Sequence, residues 1–178
     1  MLVKVPYVAA FLSFALVVTG CSDVSDQQSR PGISTEEIDQ RSFRLGTFTA
    51  FCEVVSLGIK QMALSAAATS DEMDELIDEA NRIAEQHDVE IYREAEFLVT
   101  DLFPESATQD KHVLVIYQNS ILEQYFSLKE QKADLVKSGA YSGAARRNIA
   151  WQLGELLSYP HEKIAALIEQ NSSARPVE

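Results

Sequence analysis

The chain has 178 residues and a formal net charge of −12, with 27 acidic against 15 basic side chains. Such a balance repels nucleic acid and anionic lipid headgroups, which excludes a phosphate-tracking protein and makes nucleic acid no partner. Two cysteines, Cys21 and Cys52, are too few for a disulfide framework.

Lys4 precedes an uncharged run from residue 5 to residue 20 that is rich in Val, Ala, Leu and Phe. This is the charged-then-apolar layout of a secretory signal. The run is too short to span a bilayer comfortably, since a helix needs about 20 apolar residues for that. It closes on Val18-Thr19-Gly20-Cys21: a branched apolar residue, a small one, Gly, then Cys. These residues resemble the lipobox of bacterial lipoproteins. The resemblance implies a signal peptide over residues 1–20, cleavage before Cys21, and a diacylglycerol on the Cys21 thiol. In Gram-negative bacteria it also implies acylation of the new amino terminus, for instance by palmitate. One chain binds a membrane marginally, whereas two or three hold stably, at about 0.8 kcal/mol per buried CH₂. Ser22 stands where Asp would retain a Gram-negative lipoprotein in the inner membrane, so the outer membrane is favoured where the source has one. The expected location is therefore the periplasmic side of a membrane, with lipid on Cys21 as the link.

Residues 1–20 hold one lysine and no acid, so the chain after them carries −13. With Cys21 lipidated, Cys52 has no intramolecular partner, and the domain relies on its core even in an oxidising compartment. Residues 21–42 are expected to be a lipidated, flexible tether, because Ser, Asp, Gln and Arg around Pro31-Gly32 offer too little apolar surface to fold. Its r.m.s. reach to Phe43 is roughly 25 Å. Ser34-x-x-Glu37 reads as a capping box for a short helix within it. Residues 43–170 are expected to form one globular domain, and 171–178 a disordered tail.

The first long helix is expected over 47–67, where Phe48, Phe51, Cys52, Val55, Ile59, Met62 and Ala66 recur at three- and four-residue steps. Thr69-x-x-Glu72 caps a second, with Met73, Leu76, Ile77, Ala80, Ile83 and Ala84 as its buried stripe. The period then shortens. Val89, Ile91 and Arg93 alternate with Glu90 and Tyr92, and with Phe97-Leu98-Val99-Thr100 they suggest a hairpin. The continuous run Val113-Leu114-Val115-Ile116-Tyr117 after His112 reads as a strand buried on both faces. Ser120-x-x-Glu123 starts a third helix that stops at Gly139, Ser142 starts a fourth, and Pro160 opens the last. The fold class is therefore α+β and helix-dominated: about five helices, with a small sheet of about three strands in the middle of the chain.

Gly154-Glu155-Leu156-Leu157-Ser158-Tyr159-Pro160 resembles the Leu-Leu-Gly-Tyr-Pro turn that precedes the last helix in an uncharacterised microbial family. Ser158 replaces that family's Gly, and the cysteines that often follow its Pro are absent here. The resemblance implies no activity.

Chemistry-bearing patterns are few. The seven glycines form neither a G-x-G-x-x-G nor a G-x-x-x-x-G-K loop, and no C-x-x-C or H-E-x-x-H occurs. His87, His112 and His161 fall on different elements, so no metal and no cofactor is expected. Cys52, among Phe48, Phe51 and Val55, reads as a buried inert thiol. The acids from Asp71 to Glu79 lack the Gly of a calcium loop and read as a solvated helix face. Glu53 and Lys60, among apolar residues, read as a strip reaching solvent. Trp151 with Arg146 and Arg147 reads either as core or as an interface anchor. The candidate catalytic residues are Asp101 and His112, with Tyr117 near them. If the two flanking strands were antiparallel neighbours, Asp101 and His112 would meet at a sheet end, as a general base or as a surface hydrogen bond. The expected function is accordingly a membrane-anchored cell-envelope lipoprotein acting as a non-enzymatic interaction or accessory module, with an envelope protein as its partner. The alternative is a small periplasmic hydrolase or ligand-binding protein with a pocket near Asp101 and His112.

Overall fold

The computed structural model describes residues 39–173, Pro104 excepted. The expected signal peptide, Cys21, most of the expected tether and the Ser34–Glu37 pattern lie outside the described residues. Within them the order is α1 (Gln40–Ser56), β1 (Met62–Leu64), α2 (Ser70–Gln86), β2 (Glu90–Glu94), β3 (Val113–Tyr117), α3 (Ile121–Lys137), α4 (Gly143–Leu156) and α5 (His161–Ser173). The fold is α+β and helix-dominated, as the sequence predicts.

The three strands lie in the order β1-β3-β2, and both pairings are antiparallel. β1, α2 and β2 thus form a βαβ unit split by β3. All five residues of β3 are buried, and its period of two divides the molecule. Val113, Val115 and Tyr117 enter one core with Tyr125, Leu128, Ile149, Leu153, Ile164 and Ile168 from the last three helices. Leu114 and Ile116 enter the other with Phe48, Cys52, Val55, Met73, Ala80 and Ile83 from α1 and α2. The flanking strands obey the same alternation: Met62 and Ala63 fall in opposite cores, as do Tyr92 and Ile91. A three-stranded sheet is stable only when covered, and here helices cover both faces. Each buried aliphatic side chain of β3 contributes about 1.5–3 kcal/mol relative to exposure.

The first helix, Gln40–Ser56, both starts and stops earlier than the 47–67 its apolar stripe suggests. Asp39 is its N-cap, accepting from Arg41 N–H at 3.1 Å. Gly58, at φ 69°, ends it, with Ile59 N–H reaching Val54 O at 3.0 Å; this is the six-to-one bond of a Schellman stop. Met62-Ala63-Leu64, the tail of the expected stripe, instead pairs with β3. Leu57 and Ile59 are left exposed just past the stop.

The second helix follows the sequence closely. Its capping box is formed, with Thr69 Oγ1 accepting from Glu72 N–H at 3.3 Å and the Glu72 carboxylate from Thr69 N–H at 2.8 Å. Ser120 and Ser142 are N-caps of α3 and α4 by position, but neither hydroxyl makes a capping bond. Gly139, at φ 71°, follows α3. Pro160 immediately precedes α5, and its carbonyl accepts from Ile164 N–H at 3.0 Å. Gly154 lets α4 and α5 approach closely, because a Cβ there would stand 2.6 Å from Ile164 Cγ1.

The tail expected from residue 171 is helix as far as Ser173. Asn171 is docked, its Nδ2 donating to the carbonyls of Leu102 at 3.0 Å and Asp101 at 3.2 Å. The hairpin is also corrected. β2 pairs with β3 in the register Ile91–Ile116, and residues 97–100 form no strand.

Candidate functional site

From Glu94, the last residue of β2, the chain leaves the sheet yet runs through the interior to residue 103, with Phe97, Leu98 and Leu102 in the core and Glu94, Thr100 and Asp101 buried beside them. Backbone groups in such a place need partners, and side chains of the helices supply them. Tyr125 Oη accepts from Leu98 N–H at 3.2 Å. Lys129 and Lys132 donate to the carbonyls of Glu96 at 2.8 Å and Val99 at 2.6 Å. An apolar run that reads as a strand is therefore an irregular segment held by side chains from α3 and α5.

Two buried carboxylates stand within it. Glu94, 2% exposed, receives Lys129 Nζ at 2.7 Å and the Tyr125 hydroxyl at 3.0 Å on one oxygen, and Glu96 N–H at 2.8 Å on the other. Burial pushes the Tyr125 hydroxyl well above the usual tyrosine range, and the Glu94 charge adds to the shift. Tyr125 therefore stays protonated and donates. Asp101 is gripped by Arg146, with Nε at 2.9 Å from one carboxylate oxygen and Nη2 at 2.8 Å from the other. Such forked Arg–carboxylate pairs combine strength with fixed geometry. The guanidinium also lies 5.6 Å from the centre of the Tyr141 ring, whose hydroxyl burial likewise raises.

His112 has other company. It opens β3 through a two-way backbone bridge to Ala68, and its Nδ1 accepts from Arg93 Nε at 2.8 Å. Arg93 continues to the Asp74 carboxylate and, at 3.1 Å, to the Ser70 carbonyl and hydroxyl at the start of α2. Asp101 thus belongs to the α4 side of the sheet and His112 to the α2 side. The expected meeting of the two fails because Asp101 lies on no strand. Tyr117 ends the strand that His112 precedes, about 16 Å along it, and its hydroxyl donates to Glu90 at 3.2 Å.

The remaining sequence candidates fall into place individually. Cys52 is fully buried, and desolvation pushes its thiol up to about 12. Glu53 is exposed, whereas Lys60 turns inward and donates to the Leu157 carbonyl at 2.6 Å. Burial lowers the Lys60 pKa. The acids of α2 lie mainly on its outer face. No cluster of three or more His, Cys, Asp or Glu suited to a metal occurs among the described residues.

One concave feature escaped sequence reasoning. A cleft of about 510 Å³ opens between the segment before β1, α3, α4 and the α4–α5 turn. Gln61, Gln124 and Gln152 line it, and Leu128, Leu156 and Tyr159 supply its apolar part. Glu155 and His161 complete it, 3.6 Å apart, with Trp151 Nε1 donating to the same Glu155 oxygen at 3.0 Å. The turn that carries Tyr159 is clasped by the chain before β1: Ser158 accepts from Gln61 N–H at 2.9 Å, and Lys60 Nζ lies 4.8 Å from the centre of the Tyr159 ring. Ser158 has φ 55°, the left-handed conformation that suits the Gly of the similar microbial turn. Glutamines carry no periodic or motif signal, so nothing in the sequence marks this cleft.

No protein-family model matches the chain, and neither does any curated protein or solved structure.

Proposed function

We infer that the chain is a cell-envelope lipoprotein, held on the periplasmic side of a membrane by lipid on Cys21, whose folded unit is a non-enzymatic interaction or accessory module. The sequence Val18-Thr19-Gly20-Cys21 behind a charged-then-apolar run carries the anchor. No helix among the described residues is long and apolar enough to cross a membrane. The accessory reading is supported by the use made of the polar interior. Glu94, Asp101, Tyr125 and Arg146 hold an irregular buried segment in place, and His112 joins β3 to Arg93. These are bonds that maintain shape. The separate surroundings of Asp101 and His112 offer no observation in favour of a hydrolase built on that pair. An envelope protein is the partner this reading implies, and the acidity of the chain favours solubility near the membrane surface that holds it.

Fractionation of cells carrying the wild type and Cys21→Ser tests the anchor. The wild type is expected in the membrane fraction with a mass increment of lipid on Cys21. The variant is expected to be soluble or unprocessed and to carry no lipid. A wild-type chain without the lipid mass, or a lipid-free variant still cleaved and held on membranes, would overturn the reading.

A further inference from the structure

The cleft between α3, α4 and the α4–α5 turn is open and mainly polar, and its volume of about 510 Å³ falls in the usual range of about 300–1,000 Å³ for small-molecule sites. Its walls come from four separate stretches of chain. Gln124 and Leu128 stand one turn apart on α3, Gln152 and Leu156 one turn apart on α4, and Gln61 approaches from the segment before β1. Tyr159 joins them from the turn. Each of the two helices thus contributes an amide beside a buried leucine.

Gln61 and Gln124 are exposed and Gln152 half-buried, so their side-chain amides face the open cleft; Gln118, outside it, donates to the Asp88 carbonyl at 2.8 Å. A primary amide offers two donors and an acceptor. A group of three therefore matches a ligand whose own groups both donate and accept. Hydroxyl and acetamido groups do so; phosphate, carboxylate and ammonium groups do not. The charges agree. The Lys60 ammonium beside Tyr159 is taken up by the Leu157 carbonyl, and the carboxylate on the wall, Glu155, is oriented by Trp151 and repels anions. The half-buried Tyr159 ring, flanked by the edge of Leu156, leaves a small apolar surface for the C–H face of a ring.

We propose that this cleft is a binding site for a neutral saccharide, with Gln61, Gln124 and Gln152 addressing its hydroxyls and the Tyr159 ring its apolar face. An N-acetylated amino sugar fits best. Its acetamido group pairs with a glutamine amide in both directions. The assignment rests on the cleft alone and stands whether or not Cys21 carries lipid.

The test uses the full chain in a zwitterionic detergent without a sugar headgroup. N-acetylglucosamine and its β-1,4-linked oligomers serve as probes, with glucose, inorganic phosphate and a neutral alanine peptide as comparators. Two readouts report on the site. One is fluorescence of Trp151, the chain's single tryptophan, bonded to Glu155. The other is the NMR signals of the glutamine side-chain amides. The expected result is saturable binding of the amino sugar that shifts the Gln61, Gln124 and Gln152 amides. Gln124→Ala and Gln152→Ala should each weaken it by about 2- to 10-fold, while Gln118→Ala leaves it unchanged. Three results would overturn the proposal: no saturable saccharide binding, binding indifferent to both cleft substitutions, or preference for the peptide or phosphate. Circular dichroism of each variant shows whether a loss reflects the cleft or the fold.

Discussion

Lys129→Met isolates the ion pair at the centre of the buried segment. Methionine keeps most of the apolar stem and removes the ammonium. Glu94 would keep the Tyr125 hydroxyl and Glu96 N–H but lose its cation while only 2% exposed. Removing one partner of a buried pair costs about 3–5 kcal/mol, and the Glu96 carbonyl loses its bond to Lys129 as well. Glu94→Gln is gentler, because the stranded Lys129, with a side chain 28% exposed, can turn to water; about 1–2 kcal/mol is expected. The double variant pairs a neutral amide with an apolar side chain. It should be more stable than the sum of the single losses by about 2–3 kcal/mol. Urea unfolding at neutral pH, followed by Trp151 fluorescence, measures all four corners of the cycle. The denaturant slope should stay constant, as required when stability alone changes. A Lys129→Met cost below about 1 kcal/mol, with coupling near zero, would place this pair among ordinary surface ion pairs and refute the reasoning.

Three further outcomes follow from the same geometry. Ser158 combines a left-handed backbone with a hydroxyl that accepts from Gln61. Ser158→Ala loses the bond and keeps the strain, whereas Ser158→Gly loses the bond and relieves it. Denaturation should therefore rank Gly above Ala by about 1 kcal/mol, and equal stabilities would refute the strain argument. Asn171→Ala should cost about 1–2 kcal/mol through two lost bonds to the 101–102 carbonyls; a neutral result would mean that the end of α5 is not docked. Cys52 gives the pH dependence. Its folded pKa is raised to about 12 by burial, so its contribution is complete below the unfolded thiol pKa of about 8.5 and is lost as pH rises beyond it. In a Cys21→Ser background the native chain should react with a thiol reagent at mildly alkaline pH at least about a hundredfold more slowly than the urea-unfolded chain. Equal rates would show that the thiol is accessible.

Local rules carried much of this fold because they act between near neighbours. Thr69 and Glu72 meet across one helical turn wherever the helix lies, so the capping box was legible. The buried stripe of α2 and the both-faces burial of β3 follow from side-chain periods of 3.6 and 2, and the structure has both. The fold class follows from the order of such elements. The Gly58 stop was also written locally, but the stripe running on through Met62 and Ala66 masked it, since a three-residue apolar run serves a strand equally well. For Cys21 the sequence pattern alone carries the proposal.

Tertiary structure decided where apolar runs without a distinctive period would go. Residues 97–100 could have extended the sheet. They lie in a buried irregular segment because Tyr125, Lys129, Lys132 and Asn171, 27 to 70 positions away, satisfy backbone groups of Glu96, Leu98, Val99 and Asp101 along it. The same segment puts Asp101 against Arg146 rather than His112. The cleft has the same origin. Gln61, Gln124 and Gln152 belong to no common motif, and only the packing of α3 and α4 against the chain before β1 brings them together. Periodicity and capping rest on interactions a few residues long. A site assembled from four distant stretches rests on the packing that closes the chain on itself.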